Sequence, residues 1–337
     1  MKSQREGDVP LFIIIYIDDI TILGVSLEAV KLLKSDLSKH YEMSDLREIM
    51  SYLRIHITQD HSLRRLEIDQ SGYLTDVLER FGMSNATPHS TPLPARADEH
   101  LVKFEGQVTA LEIKNFQSLI GSLLYLQIGT WPDISFAVSR LVQCLANPSH
   151  QHQHLQLVHY VLSYLVGTVD KRLVYDGANG DGLHSYSDSS LADQTDDRHS
   201  TSGYVFLLAN GAISWSARKQ RTVAQNTTEA EYMAMTNVTN QAAWYRSFLA
   251  ELGYDVNNPI PIHGDNKGGI DLALNPITGR WSKHIEIRHH TIREYVKKGV
   301  ISLMRTPTVD MVVDGFTKSL SHVLLQKHNK GMGLTND

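Results

Sequence analysis

Internal disulfides are excluded in this 337-residue chain, because it carries one cysteine, Cys144. A single thiol suits a reducing compartment. No apolar run approaches the roughly 20 residues that a membrane-spanning helix needs. Near the N-terminus the apolar run covers only Leu11 to Ile15. It is too short for a signal peptide, so a cytoplasmic or nuclear protein is expected, not a secreted or membrane one. Positive charge is not in excess either: 32 Lys and Arg stand against 37 Asp and Glu, a formal net charge of −5. A protein that coats nucleic acid is usually basic. Any phosphate affinity here must come from local basic patches. What remains is ordinary, 42% hydrophobic and 20% charged, enough to bury the cores of about two domains.

The most informative stretch runs from Ser185 to Glu231. It opens with Ser185-Tyr-Ser-Asp188 and continues through two β-prone, aromatic-rich runs joined by Asn210-Gly211. That pair predicts a hairpin. A helix then opens with acids at Glu229 and Glu231. From Glu231 the apolar stripe continues through Met235, Val238, Ala242, Tyr245, Leu249 and Leu252 at helical spacing. Glu231 therefore heads the face that meets the sheet, where an unpaired carboxylate is costly. A plainer account is a capping box, for which both Thr228/Glu231 and Asn226/Glu229 have the right spacing.

Two further acids recur in matching contexts. Asp265 follows a short strand, Ile260 to Gly264, and precedes an apolar-periodic helix. Asp314 is expected on a C-terminal helix with Val309, Val312, Val313 and Phe316. Each has a bland alternative: a helix N-cap for Asp265, a solvated helix acid for Asp314. Together with Asp188 and Glu231 they form the kind of set a two-metal phosphodiester site needs. Hard cations require several carboxylate oxygens converging from different elements.

Tyr186-Ser-Asp188, Asp197 to Tyr204, Ile213-Ser-Trp215, Thr228 to Ala234, Asp265-Asn266, Lys283-His-Ile285 and Phe316-Thr-Lys318 resemble the ribonuclease H domain of Ty1/copia-type retrotransposon polyproteins. The resemblance implies metal ligands at Asp188, Glu231, Asp265 and Asp314. It implies two Mg2+ or Mn2+ ions and cleavage of the RNA strand of an RNA–DNA hybrid to 5′-phosphate products. Recognition would rest on the 2′-hydroxyls of the RNA strand. Arg218, Lys219 and Arg221, in a short basic run after the hairpin, and Lys283 are candidate phosphate contacts, although each taken singly could be a solvated surface residue.

Upstream, an apolar strand leads into Tyr16-Ile17-Asp18-Asp19 and a second apolar run, Ile20 to Leu23. This is similar to the Y-x-D-D hairpin of reverse transcriptases. Gln70 to Tyr73, Leu78 to Met83, Ser90 to Leu93, Leu119 to Leu123, Pro132 to Ile134 and Tyr164 to Thr168 match copia-type segments in order. The resemblance thus covers essentially the whole chain. In that family a third palm Asp and the fingers lie upstream of the hairpin, so Asp18 and Asp19 are expected to be a polymerase remnant. Polymerisation would need the missing upstream segment.

The expected architecture is α/β and α+β multidomain. A truncated reverse-transcriptase palm would occupy residues 1–95, a helical thumb or connection 96–178, and a ribonuclease H-like mixed five-stranded sheet with helices 179–337. Helices are expected over Leu27 to His40, Asp69 to Phe81, Ile113 to Ile128, Ile134 to Leu145 and His154 to Leu165. Thr87 to Pro94, with three prolines, reads as a linker or crossing segment. His150, His152 and His154 form a possible but unframed metal motif. His284 and His289 could sit near the nuclease site. Departures from the family pattern are Arg47 and Arg54 at Gly positions, Trp131 for Arg, Leu191 for Trp, Asn226-Thr227 for Ser-Ser, and Val313 and Gly315 around Asp314. They also permit a catalytically silent or binding-only remnant.

Overall fold

The computed structural model describes residues 10–97, 100–149, 153–194, 197–274 and 291–336. The backbone divides into two units, Met1–Tyr52 and Leu53–Asp337.

In the first unit, β1 (Leu11–Tyr16) and β2 (Asp19–Gly24) pair antiparallel, with Tyr16 opposite Asp19. Ile17 and Asp18 make the two-residue turn, and Ile17 takes a φ of 52°. α1 (Leu27–His40) has the bounds expected from periodicity. The Ser26 hydroxyl accepts the Ala29 N–H at 3.3 Å, and Glu28 at one end with Lys39 and His40 at the other complement the helix dipole. β3 (Ser51–Tyr52) ends the unit.

The second unit contains a helical layer and two sheets. β4 (Ile55–Asp60), β5 (Arg65–Asp69), β6 (Arg172–Asp176) and β12 (Leu334–Thr335) pair antiparallel in the order β12-β6-β5-β4. These strands are absent from the sequence-based expectation. Asp69 therefore ends a strand, and α2 (Ser71–Arg80) begins two residues later, with Ser71 N–H donating to Asp69 Oδ1 at 2.9 Å. α3 (Ala110–Gly129) opens on a complete capping box, Thr109 and Glu112. A 3-10 turn at Pro132–Ile134 separates it from α4 (Ser135–Val142), and α5 (His154–Val166) completes the layer. One core unites Leu74, Phe116, Ile120, Trp131, Val138, Val161 and Tyr164. Thr87 to Pro94 is neither helix nor strand, yet it is packed: Leu93 is buried, and His89 N–H donates to Ser163 O.

β7 (His184–Ser190), β8 (Thr201–Leu208), β9 (Gly211–Lys219), β10 (Ile260–Gly264) and β11 (Ile301–Arg305) form the second sheet, in the order β11-β10-β7-β8-β9. β7, β8 and β9 run antiparallel, while β10 is parallel to both β7 and β11. The expected mixed five-stranded sheet is thus present. α6 (Thr227–Glu251) covers one face through Met235, Val238 and Ala242 against Phe206 and Ile262. α7 (Lys267–Leu274) and α8 (described over 291–297) follow. The other face packs Val205 and Leu207 against Val313 and Phe316, ahead of α9 (His322–Gly331). The hairpin turn lies one residue earlier than Asn210-Gly211: Ala209 and Asn210 take φ values of 52° and 63°, and Gly211 already belongs to β9. Gly211 serves close approach instead, since a Cβ there would lie 2.4 Å from the Tyr175 ring. Among the described residues, no helix is long and apolar enough to cross a membrane.

Candidate metal centre

Three of the four predicted acids converge. Asp188 lies near the end of the central strand β7, Glu231 in the second turn of α6, and Asp265 just after β10. Each offers one carboxylate oxygen, and these oxygens all lie within 4.8 Å of one another. The bland readings of two of them are displaced by neighbours. Asn226 caps α6, its side chain accepting Glu229 N–H at 2.9 Å, while Glu229 accepts Gln225 N–H at 2.8 Å. Asn266 takes the equivalent duty for α7, accepting Gly269 N–H at 2.9 Å. Glu231 and Asp265 are left for other work.

Each acid of the trio is oriented by a neutral donor. The Thr317 hydroxyl donates to Asp188 Oδ2. Ser189 N–H donates to Glu231 Oε1 at 3.3 Å. The Thr308 hydroxyl donates to Asp265 Oδ2 at 2.8 Å. These donors compensate little for the loss of water. Burial, reinforced by Asp314, pushes the Asp188 carboxyl up to about 6 against the Thr317 bond. Burial, then the charges of Asp188 and Asp265, pushes Glu231 up to about 9. A divalent cation would relieve both, because its charge favours the ionised forms.

Asp314 stands outside the trio. It lies in a 3-10 turn, Val312–Phe316, and not in the α-helix expected for it; Val309, placed on the same helix, is exposed. Its carboxylate is buried and its Oδ2 lies 2.7 Å from Lys318 Nζ. Asp314 Oδ1 is buried with no hydrogen-bond partner among the described residues. Burial works against the Lys318 charge, but the bond to Asp314 and the fields of Asp188 and Asp265 outweigh it and raise its pKa. Gly203, directly opposite Asp188 on β8, lets this turn approach. A Cβ on Gly203 would come within 2.8 Å of Phe316 Cβ and 3.0 Å of Thr317 Cγ2.

Of the basic candidates, Arg218 is exposed on β9 and Arg221 is exposed just beyond it. Lys219 is already paired with Asp197. Against partial burial, Lys219 and His199 bring that carboxyl down to about 2. Lys283, His150, His152, His284, His289 and His290 lie outside the described residues. His154 is no ligand candidate: Nδ1 accepts Ser149 N–H at 2.9 Å, so Nε2–H faces Val102 O at 2.9 Å. Asp18 and Asp19 are exposed at the β1–β2 turn, and among the described residues no third ligating group joins them. Sequence reasoning assigned no role to Gly203, Thr308, Thr317 or Lys318. Gly203 carried a signal as part of the Asp197 to Tyr204 motif, and Thr317 and Lys318 as part of the Phe-Thr-Lys motif after Asp314; Thr308 carried none.

The family model described as reverse transcriptase (RNA-dependent DNA polymerase) matches residues 1–95. A retrovirus-related Pol polyprotein from transposon TNT 1-94 of Nicotiana tabacum is 36% identical over 313 residues, covering 91% of this chain and 23% of that protein. A putative transposon Ty5-1 protein of Saccharomyces cerevisiae is 32% identical over 237 residues, covering 68% of this chain and 73% of that protein. The chain spans under a quarter of the length of the Pol polyproteins it matches. Among solved structures, the LC11 ribonuclease H1 isolated from compost aligns over 40% of this chain and 92% of its own, with 11% identity and a TM-score of 0.33.

Proposed function

Because this chain belongs to the Ty1/copia-type retrotransposon Pol polyprotein family, with a reverse transcriptase-like segment over residues 1–95, we propose that its second unit carries a metal-dependent ribonuclease H activity. The substrate would be the RNA strand of an RNA–DNA hybrid. One observation carries this reading: Asp188, Glu231 and Asp265 reach from a strand, a helix and a strand–helix junction to place oxygens within 4.8 Å.

The residues fit the ions. All donors are carboxylate oxygens, the set that Mg2+ and Mn2+ prefer. Burial and mutual repulsion raise the pKa values of Asp188 and Glu231, both of which a dication would offset, and Asp314 Oδ1 is a buried acceptor with no partner among the described residues. Bound ions would supply Lewis acidity and a more acidic water. The chain's own part is orientation. Thr317, Ser189 and Thr308 fix the three carboxylates, and β7, at the centre of its sheet, gives Asp188 a rigid base. Arg218 and Arg221, exposed at and just beyond the C-terminal end of β9, would meet phosphates.

The deciding experiment is cleavage of a labelled RNA–DNA hybrid with Mg2+ or Mn2+, comparing the chain with Asp188→Asn. Cleavage that the substitution reduces at least about a hundredfold is expected. A folded wild-type chain that leaves the hybrid intact with both ions would overturn the activity.

A further inference from the structure

We propose that Lys318 is a resident counter-cation that occupies Asp314 and thereby sets the order in which divalent ions load the centre. The proposal rests on the metal-centre reading above and adds to it.

The contrast between the four acids carries the argument. Asp188, Glu231 and Asp265 are bonded to two hydroxyls and one backbone amide. No charged side chain forms an ion pair with them among the described residues, so a first ion can enter the trio without displacing one. Asp314 differs. Its Oδ2 lies 2.7 Å from Lys318 Nζ, and an ion that takes this oxygen must displace a cation or share with it. The pair is asymmetric. The Asp314 side chain is 3% exposed and that of Lys318 is 47% exposed.

The backbone holds the acid in place. Asp314 N–H donates to Met311 O at 3.0 Å, and Asp314 O accepts the N–H groups of Thr317 and Lys318, each at 3.2 Å. Lys318 instead ends in a flexible stem that reaches solvent. The acid stays and the lysine is the group that can leave. Asp314 Oδ1, buried and unpartnered among the described residues, gives an arriving ion a second acceptor. The spacing of four residues between Asp314 and Lys318 makes this exchange local, with no movement of the sheet.

The test counts bound ions directly, by titrating the full chain with Mn2+ and following free Mn2+ by electron paramagnetic resonance, without substrate. Wild type is expected to bind one ion and then a second at least ten times more weakly. Lys318→Met keeps the stem and removes the charge. It should tighten the second step about tenfold or more, the scale on which an adjacent charge shifts a carboxylate's cation affinity. Lys318→Arg keeps the pair and should behave as wild type.

Two equal binding steps in the wild-type chain, or a Lys318→Met second step equal to that of wild type, overturns the proposal alone. Absence of Mn2+ binding in every form, or an Asp188→Asn chain that binds like wild type, overturns the metal-centre reading and the proposal with it.

Discussion

At the scale of single residues, the buried acid cluster opposes folding once its carboxyls ionise. Asp188 and Glu231 have folded-state pKa values of about 6 and about 9, against about 4 in an unfolded chain. Between pH 4 and those values the folded chain holds more protons than the unfolded one. Stability contributed by these two groups therefore falls as pH rises through that window. Asp188→Asn, which can still accept the Thr317 hydroxyl, should raise the unfolding free energy at pH 8 in EDTA by up to about 3 kcal/mol. Near pH 4 the two proteins should match. Urea unfolding at both pH values checks this, and equal stability at pH 8 would refute it. Backbone strain gives a second residue-scale prediction. Arg47 and Arg54 take φ values of 68° and 58°, the left-handed region that costs a non-glycine residue about 1–2 kcal/mol. These are two positions at which the resemblance described above leads one to expect Gly. Arg47→Gly keeps its N–H bond to Asp45 Oδ1 and should stabilise the chain by roughly 1 kcal/mol. A lower urea midpoint would sink that account.

At the scale of elements, the centre depends on how closely the turn at Val312–Phe316 lies on β8. Gly203→Ala drives a methyl into Phe316 and Thr317 and should move the Thr317 hydroxyl off Asp188. The expected cost is about 1–3 kcal/mol, with a larger fractional loss of hybrid cleavage than of stability. Retained cleavage with an unchanged melting temperature would show that the contact is slack. The same elements explain what the sequence disclosed. α1 was legible to the residue, because its cap, dipole charges and periodicity are all local. The β8–β9 hairpin was legible apart from a one-residue shift, since Gly211 answers to Tyr175 on a distant strand. Asp314 was placed on a helix because Val312, Val313 and Phe316 have helical spacing, yet a five-residue 3-10 turn buries the same three side chains. β5 and β6 were invisible for a different reason. Arg65 to Ile68 pair with Leu173 to Asp176, more than 100 residues away, and no local pattern announces such a partner. The three converging acids were legible from motif order, whereas their orienting donors Ser189 and Thr308 become visible only once the strands are in register.

At the scale of the whole molecule, the helical layer and the sheet of β7 to β11 share one compact unit, Leu53–Asp337. The joint is polar and buried. Asp133 Oδ2 accepts bonds from Lys171 Nζ at 3.0 Å, from Asn329 Nδ2 at 2.8 Å and from the Tyr164 hydroxyl. Asn329 belongs to α9, which also packs on the turn that holds Asp314. Nearby, the Trp215 indole of β9 donates to Gln127 O of α3 at 2.8 Å, and β12 completes the sheet of β6. A cut at residue 178, the expected domain limit, would sever the Asn329 bond to Asp133, the Trp215 bond to Gln127 and the pairing of β12 with β6, and would leave Lys171 and Tyr164 on the same side as Asp133. Residues 53–337 should accordingly unfold in a single calorimetric transition, with equal van't Hoff and calorimetric enthalpies. Lys171→Met should lower the stability of that one transition by about 3–5 kcal/mol, because it strands a buried carboxylate. Two separable transitions, with Lys171→Met shifting only one, would instead make the helices an independent domain. The metal centre would then owe nothing to them. If the single transition holds, a substitution at Lys171, which is no part of the acid cluster, loosens the α9 anchor that backs Asp314, and hybrid cleavage should fall at temperatures well below the melting point.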